Sequence, residues 1–250
     1  PKFLVEEILT NKSVIEGERK RVTIFFADVV GFTSFSEKLD PEQVHQIMDG
    51  AFRIMMDEVH EYEGTINQFT GDGIMALFGA PVAHEDHAGR ACHVALDIQK
   101  AMLEYSAKVK RDLRVNFKMR AGLNTGLVVV GSIGNDLRRD YTAVGDTVNL
   151  ASRMQSMARP GTVLVSQNTY KRVKQHFKFT FMGKVKVKGK KSPLDVYELI
   201  DTIKRSESGL DRQIVSKMVG REKDLNRLHS QVLKAVNGKG SVVNLSLIHI

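Results

Sequence analysis

The sequence predicts an α+β domain, an antiparallel-rich sheet with helices laid on it, and three features carry that prediction. Residues 22–27 (VTIFFA) form a run of β-branched and aromatic side chains that reads as a central strand. Two stretches place apolar residues three and four apart, Val44-Ile47-Met48-Ala51-Phe52-Met55-Val59 and Ala88-Ala91-Cys92-Ala95-Ile98-Met102, as amphipathic helices do. Between them Gly71-Asp72-Gly73 separates two short apolar segments, which is a hairpin signal. Strand, helix, hairpin, helix and further strands in that order suit helices on an antiparallel-rich sheet better than a parallel βαβ array.

Each element has local reasons. Asp40-Pro41-Glu42-Gln43 offers a capping carboxylate, a proline in the first turn and a glutamine three residues after the cap, so a helix starts there. Gly64 ends it, and residues 65–69 and 74–78 flank the hairpin turn. Gly79-Ala80-Pro81 breaks the pattern before the second helix, expected over about residues 85–105. His84-Glu85-Asp86-His87 at its start could suggest metal ligands, but Glu85 and Asp86 suit the positive end of a helix, which is the preferred reading. Val115, Phe117, Met119, Ala121 and Leu123 alternate with Asn116, Lys118 and Arg120, giving a strand with one polar face. Residues 126–134 and 141–144 form a further hairpin joined by a polar stretch, 135–140. Asp146 is expected to cap a helix over 147–157, stopped by Pro160-Gly161. Strands at 162–165, 177–181, 185–187 and 194–199, with a short helix at 167–173, complete the domain. Beyond Asp201, TIKRSESGLDRQ is polar and reads as a linker.

The 250 residues, 42% hydrophobic and 26% charged, have the composition of an ordinary globular protein. Apolar runs are too short for a membrane span, and residues 1–21 lack the apolar centre of a signal peptide, so a cytoplasmic location is expected. The single cysteine, Cys92, excludes an internal disulfide and sits in a helical pattern as a core thiol. A net charge of +8 favours anionic partners. Much of the excess lies in GKVKVKGKK (183–191), which fits either a strand with one wet face or a phosphate-binding segment. Neither aromatic-interleaved basic motifs nor zinc-finger spacings occur, so nucleic acid is not an expected partner.

Two aspartates stand out: Asp28 in FFADVVGFTSF and Asp72 in NQFTGDGIMALFG. Each follows an apolar run and precedes turn-forming residues. A carboxylate at the end of a buried strand is costly unless a cation or donor meets it. Two that converge would suit a pair of divalent ions over a triphosphate.

Taken together, FADVVGFT, GDG, YTAVGDTVNLASRM and VKGK, in that order, make residues 22–199 resemble the catalytic domain of class III nucleotidyl cyclases. The resemblance implies a ferredoxin-like, palm-type sheet flanked by helices and conversion of ATP or GTP to the cyclic monophosphate. It makes Asp28 and Asp72, with Val29 beside the first, the residues that hold two Mg2+ or Mn2+ ions. Val29-Val30-Gly31-Phe32-Thr33 would bring backbone N–H groups to the phosphates, Gly31 permitting close approach, with plain core as the alternative for Phe32. Asn149 and Arg153, four apart on one helix, would position the ribose and stabilise charge on the α-phosphate. Lys188, and less securely Lys190, would bind the triphosphate. In this family the aspartates and the Asn/Arg pair come from different chains, so a homodimer is implied, with 135–141, including Arg138 and Arg139, as its arm.

The base-reading positions depart from the common patterns. Gln68 stands four residues before Asp72, where adenylate cyclases usually carry lysine, and Thr142 stands seven before Asn149, where aspartate is commoner. Thr142 marks the subclass that includes the soluble, bicarbonate-responsive cyclases, so ATP is the expected substrate and GTP the alternative. Gln can meet either purine edge, and both residues also read simply as strand-face positions. A catalytically silent regulatory module is the alternative outside enzymes. Met218-Val219-Gly220-Arg221-Glu222-Lys223-Asp224-Leu225 resembles the opening of an ATPase module that follows such domains. The expected organisation is a lead-in (1–20), the cyclase domain (21–200), a linker (201–216) and the start of an ATPase-like domain (217–250) in a longer protein.

Overall fold

A computed structural model describes residues 18–32, 36–135, 138–186 and 193–203, with four further positions, 227, 230, 231 and 234. Its backbone extends through 132–135 and 138–142 without side-chain detail. The chain divides into two compact units, 1–203 and 204–250. In the second, the described residues are helical, and the Ser230 hydroxyl donates to the Arg227 carbonyl.

Strand β1 (Glu18–Val30) lies inside the sheet of the first unit. It pairs antiparallel with β3 (Gly73–Phe78) on one side and β4 (Lys118–Asn135) on the other. β2 (Thr65–Phe69) lies outside β3, giving the order β2-β3-β1-β4. Helix α1 (Pro41–Glu61) joins β1 to β2, and α2 (His87–Leu113) joins β3 to β4. This is the ferredoxin-like βαββαβ arrangement that the family resemblance implied. β5 (Arg138–Val144) folds back on the far half of β4. Helix α3 (Asp146–Met157) follows, and β6 (Val163–Ser166) then lies parallel to β4. Helix α4 (Gln167–Val173), β7 (Phe177–Val185) and β8 (Leu194–Thr202) complete a mixed eight-stranded sheet.

Alternation along β1 divides the core in two. Phe25, Ala27 and Val29 join the main cluster under α1, α2 and α4, whereas Val22, Ile24 and Phe26 face the side on which α3 lies. The α2 side also holds a buried polar chain. The Thr23 hydroxyl meets His87 Nδ1 at 2.8 Å and Thr125 at 2.8 Å, and Thr125 meets Thr169 at 3.0 Å. These contacts tie α2 and α4 to the sheet through otherwise unsatisfied hydroxyls.

Several boundaries differ from expectation. The strands expected on either side of Gly126 are one, because β1 pairs with β4 from Lys118 to Val130 and a glycine does not break a strand held by a neighbour. Helix α2 begins at His87 and runs to Leu113. Asp86 binds the Arg90 side chain at 2.8 Å, Ser106 and Val109 continue the buried stripe, and Arg114 closes the helix in a left-handed conformation. Asp146 is the first residue of α3 and Gly145 takes the cap position. Most of the polar 135–140 stretch is strand: Arg138, Arg139 and Asp140 pair with Asn135, Gly134 and Ile133 of β4. Residues 177–181 and 185 belong to one bulged strand. Val187 lies outside the described residues. Among those described, no helix is long and apolar enough to cross a membrane.

Candidate functional site

Asp28 shares its sheet face with Phe26, so it points to the α3 side near the end of β1. Its cross-strand partner is Gly73, the residue after Asp72. The Val29 N–H donates to the Asp72 carbonyl at 3.0 Å, which fastens the hairpin tip to the end of β1. Gly73 is required for that approach: a Cβ there would lie 2.0 Å from the Ala27 carbonyl oxygen. The two acids expected to act together therefore come from adjoining strand ends.

On its other side Asp28 faces Arg120 of β4, its register partner. Arg120 Nε donates to Oδ1 at 2.9 Å and Nη2 to Oδ2 at 2.9 Å, a two-pronged guanidinium–carboxylate pair. Its Nη1 reaches the Ser156 carbonyl in the last turn of α3 at 3.2 Å. The hydrogen bond to Asp28 raises the Arg120 pKa, burial opposes it, and the charges of Asp28 and Asp72 raise it further. Arg120 thus senses both acids. The sequence placed it only on the polar face of a strand; its partner is set by the β1–β4 register, which no local pattern encodes.

The donor set fits divalent hard cations. Asp28 and Asp72 would supply oxygen ligands, and the Asp28 side chain is 15% exposed. No group of three or more His, Cys, Asp or Glu side chains that could hold a metal occurs among the described residues. Two carboxylates alone suit ions that complete their shells with water and phosphate oxygens rather than a closed protein cage. The Val29 side chain is buried in the main core, so only its backbone is available to a ligand. Gly31 has φ +95° and is exposed, which allows a tight turn beyond the strand. Phe32 packs against the main core, in line with the plain-core alternative. Thr33 lies outside the described residues.

Asn149 and Arg153 lie on α3, with Asn149 exposed and Arg153 half-buried. Counted from Thr147, whose hydroxyl donates to the Leu127 carbonyl of β4 at 2.7 Å, they lie about 200° and 240° round the helix. They therefore occupy the side turned away from β4. The opposite side, with Leu150, Ala151, Met154 and Gln155, is buried. It rests on β4 because Gly122 and Gly126 carry no side chain. Added Cβ atoms would come within 2.0 Å of the Gln155 nitrogen and 2.5 Å of Thr147 Oγ1.

Gln68 is exposed on β2 opposite Met75, beside a bulge in the ladder. Thr142 pairs through its backbone with Gly131, and its side chain lies outside the described residues, as do those of Arg138 and Arg139. Lys188, Lys190 and residues 218–225 also lie outside them. The His84–His87 segment is structural here. His84 and Arg90 both approach Glu63, at 3.4 and 2.6 Å, and His87 is buried against Thr23. Cys92 is fully buried, and burial pushes its thiol pKa far up, which suits a core thiol and not a nucleophile.

Comparison with known proteins agrees with this geometry. The adenylate and guanylate cyclase catalytic domain matches residues 14–201. Adenylate cyclase 1 of Rhizobium meliloti is 38% identical over 74% of this chain and 28% of its own length. The human guanylate cyclase soluble subunit beta-2 is 32% identical over 83% of this chain and 33% of its own. The chain thus spans about a third or less of these two relatives. Among solved structures, the adenylyl cyclase CyaB of P. aeruginosa superposes with a TM-score of 0.73 and 33% identity, covering 76% of this chain and 98% of that one. The guanylyl cyclase Cya2 superposes with a TM-score of 0.73 and 35% identity, covering 77% and 98%. With the family model covering most of the chain and both aspartate motifs on adjoining strand ends, this chain belongs to the adenylate and guanylate cyclase catalytic-domain family.

Proposed function

We propose that the domain converts ATP to 3′,5′-cyclic AMP and pyrophosphate at a site shared between two copies of the chain. The observation that carries this is the meeting of Asp28 and Asp72 at the ends of β1 and β3, with Arg120 paired to Asp28. In the reaction the ribose 3′-oxygen bonds to the α-phosphorus, its proton is lost, and the bond from that phosphorus to the bridging oxygen breaks to release pyrophosphate. Asp28, Asp72 and the backbone of Val29 would hold two Mg2+ or Mn2+ ions. When bound, such ions supply positive charge at the attacking and leaving oxygens. Arg120, already beside both acids, is placed to exchange carboxylate for phosphate oxygens as nucleotide enters.

Asn149 would orient the ribose and Arg153 would take up the charge that grows on the α-phosphate. Gly31, Phe32 and Thr33 would form the phosphate turn, and Lys188 would meet the triphosphate. Asn149 and Arg153 face away from their own sheet, which suits delivery to a second copy's acids. Exposed apolar side chains at Leu127, Val144 and Phe181, each more than half exposed, suit the same association. ATP is a cytoplasmic metabolite, so we place the domain there, with an ATPase-like module following in the longer protein.

GTP is the second candidate substrate. Relatives named for either nucleotide match this chain, and Gln68 both donates and accepts. The test is to incubate purified protein with Mn2+ and ATP or GTP, and to assay both cyclic products beside an Asp72→Ala control. Cyclic AMP in excess, absent from the control, is the expected result. Cyclic GMP in excess selects the second substrate, and no cyclic product from either leaves the silent module.

A further inference from the structure

Asn124 sits on β4 between Gly122 and Gly126, on the face covered by α3. Its side chain is buried, and both of its polar atoms are used. Nδ2 donates to the Thr147 carbonyl, in the first turn of α3, at 2.9 Å. Oδ1 accepts from the Ser166 hydroxyl, at the end of β6, at 2.6 Å. Ser166 is itself held, since its oxygen caps α4 through the Thr169 N–H at 3.4 Å. The Thr147 hydroxyl returns a bond to the Leu127 carbonyl at 2.7 Å.

This arrangement does something the glycines cannot. Gly122 and Gly126 set how close α3 comes to the sheet, but a smooth bed resists neither rolling nor sliding. Directional hydrogen bonds do. Asn124, braced from behind by Ser166, ties one carbonyl of the first turn of α3 to a fixed point on β4. Asn149 is two residues beyond that carbonyl and Arg153 one turn further. A roll of the helix about its axis would swing both side chains through an arc that grows with the distance of their tips from that axis. A buried amide is costly unless its bonds are made, and here both are.

We propose that Asn124 is a positioning residue for nucleotide cyclisation: it sets the rotation of α3 at which Asn149 and Arg153 reach the nucleotide, without touching the nucleotide itself. This rests on the cyclase reading above and assigns to β4 a part in the reaction beyond carrying Arg120.

Asn124→Leu removes both bonds while keeping the number and branching of the side-chain heavy atoms, and Asn124→Asp keeps the acceptor for Ser166 but has no donor for Thr147. Each is expected to lower kcat by about 10- to 100-fold, as misplacement of reacting groups by about 1 Å does. KM for the Mn2+–nucleotide should change less than about threefold, because the acids and the phosphate turn are elsewhere. Mixing experiments separate positioning from general damage. In the control pair, Asp72→Ala with Arg153→Ala, one composite site regains all its groups and activity returns. Asn124→Leu mixed with Asp72→Ala should also recover, since the intact acids of the first meet an α3 seated by a native Asn124 in the second. Asn124→Leu mixed with Arg153→Ala should not, because neither chain supplies a well-set α3.

Recovery in that last pair to the level of the control pair overturns the proposal. So does failure of the middle pair while the control recovers, or a kcat for Asn124→Leu within twofold of the unaltered protein. No product from the unaltered protein, or no recovery in the control pair, instead defeats the shared-site cyclase reading and this inference with it. If Asn124→Leu does not fold, Asn124→Asp enters the same pairs.

Discussion

Replacing Gly122 by alanine tests whether α3 truly rests on the backbone of β4. The new Cβ would stand 2.0 Å from the Gln155 nitrogen and 2.6 Å from both the Gln155 Cα and the Met154 carbonyl carbon. Carbon contacts are comfortable at about 3.5 Å, so the helix has to lift by roughly 1 to 1.5 Å. The obstruction is helix backbone on one side and a strand paired on both edges on the other, so neither can step aside as a side chain would. Overpacking of this kind costs about 1–3 kcal/mol, and the upper part of that range applies here. For a domain of this size, about 3 kcal/mol lowers Tm by roughly 6–12 °C, so the variant still folds. Activity should suffer more than stability, because a lift of about 1 Å at Asn149 and Arg153 costs on the order of 10²-fold in kcat. Gly89→Ala supplies the opposite sign. Nothing lies within 4 Å of its added Cβ, and it sits in α2, so a gain of about 0.5–1 kcal/mol is expected. Thermal unfolding and cyclic-nucleotide formation are measured on both variants. A Gly122→Ala protein with the parental Tm and kcat would refute the seating of α3.

Three further outcomes follow from the same contacts. His87 is held neutral by burial, with Arg172 adding to the effect, and its pKa falls to about 4. An unfolded chain takes up that proton near pH 6.5. Stability from this group is therefore complete above about pH 6.5 and is lost as pH falls to about 4, by at most about 3 kcal/mol, and His87→Gln should flatten that part of the profile in urea titrations. Arg120→Ala leaves Asp28 and Asp72 uncompensated and should cost about 2 kcal/mol without metal. Mn2+ should then raise Tm more in the variant than in the parent, and equal shifts would show that ion and guanidinium do not share the carboxylates. Finally, specific activity should fall on dilution as copies separate, whereas constant specific activity far below micromolar protein would place the whole site in one chain.

Much of the fold was legible because it depends on near neighbours. The stripe from Val44 to Val59, the Asp40 start signal and the Gly71-Asp72-Gly73 turn are local patterns, and α1, β2 and β3 appear where they predict. Errors fell where tertiary contacts overrule local punctuation. Gly126 looked like a break, yet β1 holds β4 straight through it, and α2 outruns its expected end because Ser106 finds the Phe117 carbonyl at 2.6 Å.

Asp28, Asp72, Asn149 and Arg153 were visible as candidates by residue type and motif, whatever the packing. Their supporting contacts were not visible. Arg120 reads as one cation on an alternating strand until the register sets it against Asp28, 92 positions away in the chain. Asn124 falls between the two strands expected on either side of Gly126, until β4 runs through it and α3 lies over it. The sequence by itself determined the family, the order of elements and the candidate groups of the site. Only the tertiary structure decided which of those groups touch, because strand register and helix seating arise from pairings between distant segments that no local window contains.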